Sequence, residues 1–117
     1  MIQIFGTKKC RDTQKALRFF KERGVDVQFR DIAEKAPSPG ELDDIARGVG
    51  GMGKLVDADG PEAKKRGLSY LDYDPREELL RDPLLMRTPV VRAGKGVAGV
   101  GTAEADWKRW AAEEAKK

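Results

Sequence analysis

Histidine is absent from the 117 residues, and cysteine occurs once. Without histidine there is no Ser/His or Cys/His dyad, the usual general base is missing, and most zinc designs are excluded. A single cysteine excludes an internal disulfide and any cysteine-cluster metal site, so no bound metal or cofactor is expected. No apolar run is long enough to cross a membrane, and no charged-then-apolar segment opens the sequence. The expected setting is therefore cytoplasmic, in a reducing compartment, with no membrane partner. Charge of one sign is also lacking, because 23 basic and 20 acidic side chains leave a formal net charge of +3. Aromatic residues make up 7% and interleave with no basic face, which counts against direct nucleic-acid binding.

What is present fits one domain over residues 1–117, long enough for a core but not for two. Basic charge is concentrated in residues 1–24, where Lys8, Lys9, Arg11, Lys15, Arg18, Lys21 and Arg23 face only Asp12 and Glu22. Within that segment residues 6–13, GTKKCRDT, follow a short β-prone run, MIQIF, and open a helical pattern. Cys10 thus falls at a strand-to-helix turn. Helix-terminal amides and the cations Lys8, Lys9 and Arg11 would stabilise a thiolate there. A small, partly buried apolar side chain is the other role for a free cysteine at this place.

The helical pattern presents Thr13, Ala16, Leu17 and Phe20 on one face and ends at Gly24. Val25, Val27 and Phe29 then alternate with polar residues as a strand does, completing a βαβ unit with parallel strands. Ser38, Pro39 and Glu41 form a capping box at the head of a second helix. Residues 52–73 are the least regular, with a short turn of helix expected at 54–57 and a helix at 61–66, and two further helical pieces follow at 75–81 and 83–86. The stretch from about 38 to 87 is expected to be a helical insertion lying over one end of the sheet. Residues 88–92 and 95–101 read as a hairpin turning at Ala93-Gly94, and Thr102 is placed to cap a last helix containing Trp107 and Trp110. Both tryptophans are expected to pack against the sheet. The order βαβ, insertion, ββα specifies an α/β, thioredoxin-like fold with a four-stranded mixed sheet.

The pattern IFGTKKCRDTQKA, a strand ending FRD, a capped helix, and LLMRTPVVRAGK before a Trp-containing helix resembles the ArsC/Spx family of thioredoxin-fold proteins. It is most similar to the small arsenate reductase-like members. The resemblance implies that Cys10 is the redox-active, catalytic residue. It also implies that Pro89 is the cis proline beside the cysteine, with Thr88 supplying a backbone contact. In arsenate reductases of this type the thiolate attacks arsenate, glutathione attacks the adduct, and glutaredoxin completes turnover. With no second cysteine here, an external thiol such as glutathione is the implied co-substrate. Thr13 stands where Spx-like members often carry the second cysteine of a CxxC pair. It either hydrogen-bonds the sulfur or caps the first turn.

The arginines that hold the oxyanion in arsenate reductases are not matched. Thr88, not arginine, precedes the proline, and Arg87 is one position early, which in an extended strand reverses the side chain. Arg92, Arg87 and Lys8 are the candidate anion-binding residues, with Lys9, Arg11, Thr13, Thr88 and Pro89 supporting Cys10. The expected function is a thiol-dependent oxidoreductase acting on a mixed disulfide or a small oxyanion, with glutathione or glutaredoxin as reductant. The alternative is an Spx-like regulator that binds RNA polymerase without turnover.

Overall fold

The computed structural model describes residues 2–68 and 72–116. Met1, at the head of the expected first strand, and 69–71, inside the expected insertion, lie outside the described residues.

Strand β1 (Ile2–Gly6) is central in a four-stranded sheet of order β2-β1-β3-β4. It runs parallel to β2 (Val27–Asp31) and antiparallel to β3 (Val90–Gly94), which pairs antiparallel with β4 (Val97–Val100). This is the thioredoxin-like arrangement that the strand and helix periodicities predict.

Because β1 is covered on both faces, its alternation divides two cores. Ile2 and Ile4 join Ala16 and Phe20 of α1 (Arg11–Glu22) and Trp107, Trp110 and Ala111 of α5 (Glu104–Ala115) on one face. Trp107 is fully buried against Phe19 and Phe20, so packing against the sheet is the observed role of the tryptophans. Phe5 and Val90 point to the other face. There they meet Leu42, Ile45 and Ala46 of α2 (Pro39–Val49) and the apolar residues of the segment that follows it.

That segment contains a 3₁₀ turn at Met52–Leu55, α3 (Pro61–Arg66), α4 (Pro75–Arg81) and a second 3₁₀ turn at Pro83–Leu85. Its two ends are zipped together. The Asp57 N–H donates to the Leu85 carbonyl at 2.8 Å, and the Arg87 N–H donates to the Leu55 carbonyl at 2.7 Å. Arg66 of α3 pairs with Glu78 of α4 and with Asp82, tying the short helices to each other.

Two local expectations are corrected. The hairpin turns at Lys95-Gly96 rather than Ala93-Gly94, with Gly96 at φ +71°. The cause is tertiary: the buried Asp44 carboxylate of α2 accepts the Gly96 N–H at 2.9 and 3.0 Å. Thr102 does not cap α5; the N-cap position is Ala103, without a side-chain cap. The capping box of α2 is formed as expected, Ser38 Oγ accepting from Glu41 N and Glu41 Oε1 from Ser38 N.

Candidate functional site

The site begins where β1 stops. Gly6 has no room for a side chain, because a Cβ there would collide with Thr13 in the first turn of α1. This close approach seats α1 on the end of the strand and places Cys10 at its N-cap. The Cys10 N–H donates to the Thr7 carbonyl at 3.2 Å, and its own carbonyl accepts from the Gln14 N–H at 3.1 Å. The sulfur is therefore held at the positive end of the helix, partly exposed.

Across from it, Thr88 precedes β3 and the Thr88–Pro89 peptide bond is cis. Thr88 Oγ1 donates to Cys10 Sγ at 3.1 Å, and the Thr88 carbonyl oxygen lies 3.9 Å from the sulfur. Burial pushes the Cys10 thiol up, but the hydroxyls of Thr13 and Thr88 and the amides of Thr13 and Asp12 outweigh it, leaving the pKa below its ordinary value.

Thr13 is fully buried, and its hydroxyl has no hydrogen-bond partner of its own among the described residues. A neutral thiol likewise makes no capping bond to the helix. Ionisation changes both, since a thiolate becomes the acceptor for the orphaned hydroxyl and for the first-turn amides. A thiolate is a far stronger acceptor than a neutral thiol, so the buried hydroxyl favours the charged sulfur.

A cleft of about 460 Å³ opens in front of the sulfur. Thr7, Lys9 and Cys10 of the turn between β1 and α1, Ile32 after β2 and Thr88 before β3 line it. Asp57, Gly60, Pro61 and Glu62 line it as well, together with Met86 and the half-exposed Leu84. Of the residues singled out from the sequence, the fold thus gathers Cys10, Lys9, Thr13 and Thr88 around one point, with Pro89 buried behind Thr88.

The other candidates lie elsewhere. Met86 and Thr88 line the cleft while Arg87, between them, is exposed and absent from its walls, as the alternation of an extended segment requires. Arg92 does not face the sulfur. It is engaged on the α2 face, donating to Asp44 Oδ2 at 2.9 Å and to Gln3 Oε1 at 3.0 Å. Lys8 extends into solvent, 3.7 Å from Glu34. Arg11 and Asp12 belong to a separate groove on the outer face of α1, with Lys15 and Arg18. Among the described residues no arginine lines the cleft, and its charged side chains are Lys9, Asp57 and Glu62.

Asp57 and Glu62 were not singled out from the sequence. They come from the irregular middle of the chain, where no periodicity or motif marks them. Their place in the cleft follows from how the segment folds back between Leu55 and Arg87. Among the described residues no group of three or more His, Cys, Asp or Glu is placed to hold a metal ion. No described helix is long and apolar enough to cross a membrane.

No protein-family model matches the chain, and no curated protein matches it in sequence. Solved structures do match it. An arsenate reductase from Vibrio cholerae superposes with a TM-score of 0.77 at 18% identity, covering 92% of this chain and 95% of that one. An arsenate reductase (ArsC) related protein from Brucella melitensis superposes with a TM-score of 0.66 at 25% identity, covering 92% of each chain. A protein from Staphylococcus aureus gives 0.75 at 24% identity, covering 93% of this chain and 97% of its own. The likeness extends over 92–93% of the chain, from the sheet to the terminal helix, and the chain has the thioredoxin-like fold of these arsenate reductase and ArsC-related structures.

Proposed function

We propose that this protein is a thiol-dependent oxidoreductase in which Cys10 is the nucleophile, an external thiol is the reductant, and the substrate is a mixed disulfide rather than arsenate. The observation that carries this is the sulfur itself, set at a helix N-terminus and accepting from Thr88 at the mouth of a cleft, with its pKa drawn down. Thiol–disulfide exchange needs thiolate character and access more than a separate base, so the absence of histidine is no obstacle. A tetrahedral oxyanion calls for fixed guanidinium forks. The cleft offers instead one flexible lysine and two carboxylates, which repel a multiply charged anion.

In the proposed reaction the Cys10 thiolate attacks one sulfur of the disulfide. The departing thiolate takes the bonding pair and is protonated by water. With no second cysteine in the chain, a thiol from solution then attacks the mixed disulfide at Cys10 and restores the thiolate. Glutathione, with glutaredoxin behind it, is the proposed reductant.

Alkylation of Cys10 followed against pH should give a midpoint well below the free-thiol value of roughly 8.5. Reduction of bis(2-hydroxyethyl) disulfide with glutathione should proceed and disappear in Cys10→Ser. A midpoint at or above the free value, or activity retained in Cys10→Ser, removes Cys10 from the role. A regulator that binds RNA polymerase without turnover predicts no reduction by the wild type at all.

A further inference from the structure

Leu84 and Val97 are the two large apolar side chains left well exposed among the described residues, and Leu84 lines the cleft that holds Cys10. Its exposure is not fraying. Leu84 sits in the 3₁₀ turn Pro83–Leu85, where Asp82 Oδ1 accepts the Leu84 N–H at 3.2 Å and the Asp82 carbonyl accepts the Leu85 N–H at 3.1 Å. Leu85 takes the core position, 1% exposed, and Asp82 is itself held by Arg66 at 3.6 Å. The turn thus fixes Leu84 outward while its neighbour is buried.

A single exposed leucine needs no explanation. Leu84 differs because Ile32, Pro61 and Met86 line the same cleft, so Cys10 shares it with an apolar lining. The carboxylates of the cleft are taken up locally. Asp57 Oδ2 packs so closely on Gly60 that a Cβ there would collide with it, and Glu62 interacts with Arg66 one turn on. What covers the apolar lining is set by the nucleophile beside it. An electrophile within reach of Cys10 Sγ brings the group on its own sulfur into the cleft, where apolar contact is what the lining offers.

We propose that the cleft selects disulfides in which the sulfur attacked by Cys10 carries an uncharged apolar group, with Leu84 as the specificity-determining residue that packs on that group. This deepens the proposed function and rests on Cys10 being the disulfide nucleophile. In the step, the Cys10–sulfur bond forms as the disulfide bond breaks, and the other half leaves as its thiolate with the bonding pair. Cys10 is oxidised to the disulfide level and the departing half is reduced. The apolar half stays on Cys10 until a thiol from solution attacks its sulfur and Cys10 leaves as its thiolate.

The test uses the mixed disulfides of pyridine-2-thiol with propanethiol and with 2-mercaptoethanol, whose transferred groups match in length and differ by a methyl against a hydroxyl. Attack at the alkyl sulfur releases pyridine-2-thione from both, so the leaving group is constant and its absorbance gives the rate. Intact mass shows that the alkyl half is on the protein. The propyl-to-hydroxyethyl rate ratio is divided by the same ratio for N-acetylcysteine, which removes intrinsic reactivity. In the native protein the corrected ratio should be about threefold to fivefold. It should hold in Leu84→Met and fall toward one in Leu84→Ser. A corrected ratio of one in the native protein overturns the proposal, and this measurement decides even if a variant does not fold. A raised ratio that Leu84→Ser leaves unchanged overturns the role of Leu84. Failure of the native protein to react with either probe overturns instead the assignment of Cys10 as nucleophile.

Discussion

At Thr13 a hydroxyl is fully buried without a partner of its own, and it sits beside a sulfur whose charged form would use it. Such a group costs stability while the thiol is neutral and supports the thiolate once the proton leaves. Thr13→Val keeps the shape and removes the hydroxyl, so stability and reactivity should move in opposite directions. Urea unfolding below the thiol's titration should show the variant equal to or more stable than wild type, by up to about 1 kcal/mol. Its alkylation rate near neutral pH should fall several-fold, with the midpoint moved upward. Thr88→Val is the contrasting case, because its hydroxyl already bonds the sulfur at 3.1 Å and should give the slower reaction without the gain in stability. A Thr13→Val protein that is clearly destabilised, or that alkylates as fast as wild type, would show that the hydroxyl serves the fold and not the sulfur.

Among the elements, α2 is fixed at its head by one carboxylate with two tasks. Glu41 completes the capping box with Ser38 and accepts two bonds from Arg30 of β2, at 2.6 and 3.0 Å. The Arg30 guanidinium, together with the Ser38 bonds, lowers its pKa from 4.5 to about 2. A lowered carboxylate contributes stability that is present above its unfolded pKa and is lost as pH falls through the folded one, so the window here runs from about 4.5 down to about 2. Solvent still reaches the pair, and screening holds the contribution to about 1–2 kcal/mol. Glu41→Gln should therefore be less stable than wild type near neutrality by about that amount, and the difference should close across the acid window. Chemical denaturation at several pH values would show it; a constant difference down to pH 2 would place the stabilisation elsewhere. The capping box was legible because Ser38, Pro39 and Glu41 lie within four residues and act locally. The hairpin turn was not, because Asp44, more than fifty residues away along the chain, selects Gly96 by binding its amide. Local code at Ala93-Gly94 is simply overruled by a buried carboxylate that needs donors. The same difference of range divides the candidate site. Cys10, Thr13 and Thr88 were readable from a strand-to-helix turn and a residue before a proline. Asp57 lies in a loop and Glu62 in the first turn of the short helix α3, and the position of this segment is set by contacts with α2, Phe5 and Val90 rather than by any pattern of its own.

In the molecule as a whole, the groups that prepare the sulfur and the residues that line the rest of its cleft come from different parts of the chain. Thr13, Thr88 and the first-turn amides of α1 are anchored on the central sheet, whereas Asp57 and Glu62 are carried by the insertion. Its helices are six and seven residues long, too short to persist alone, and it depends on the Val56↔Met86 bridge and on Arg66 between α3 and α4. Arg66→Ala leaves Glu78 half-buried without that partner while touching nothing on the sheet or at the sulfur. Hydrogen exchange in α3 and α4 should then accelerate on the order of tenfold, with β1 and β3 unchanged. The alkylation midpoint of Cys10 should stay at its wild-type value, because every group that lowers it remains in place. A shift of the alkylation midpoint together with the exchange rates would instead mean that α3, α4 and the thiol site open as one.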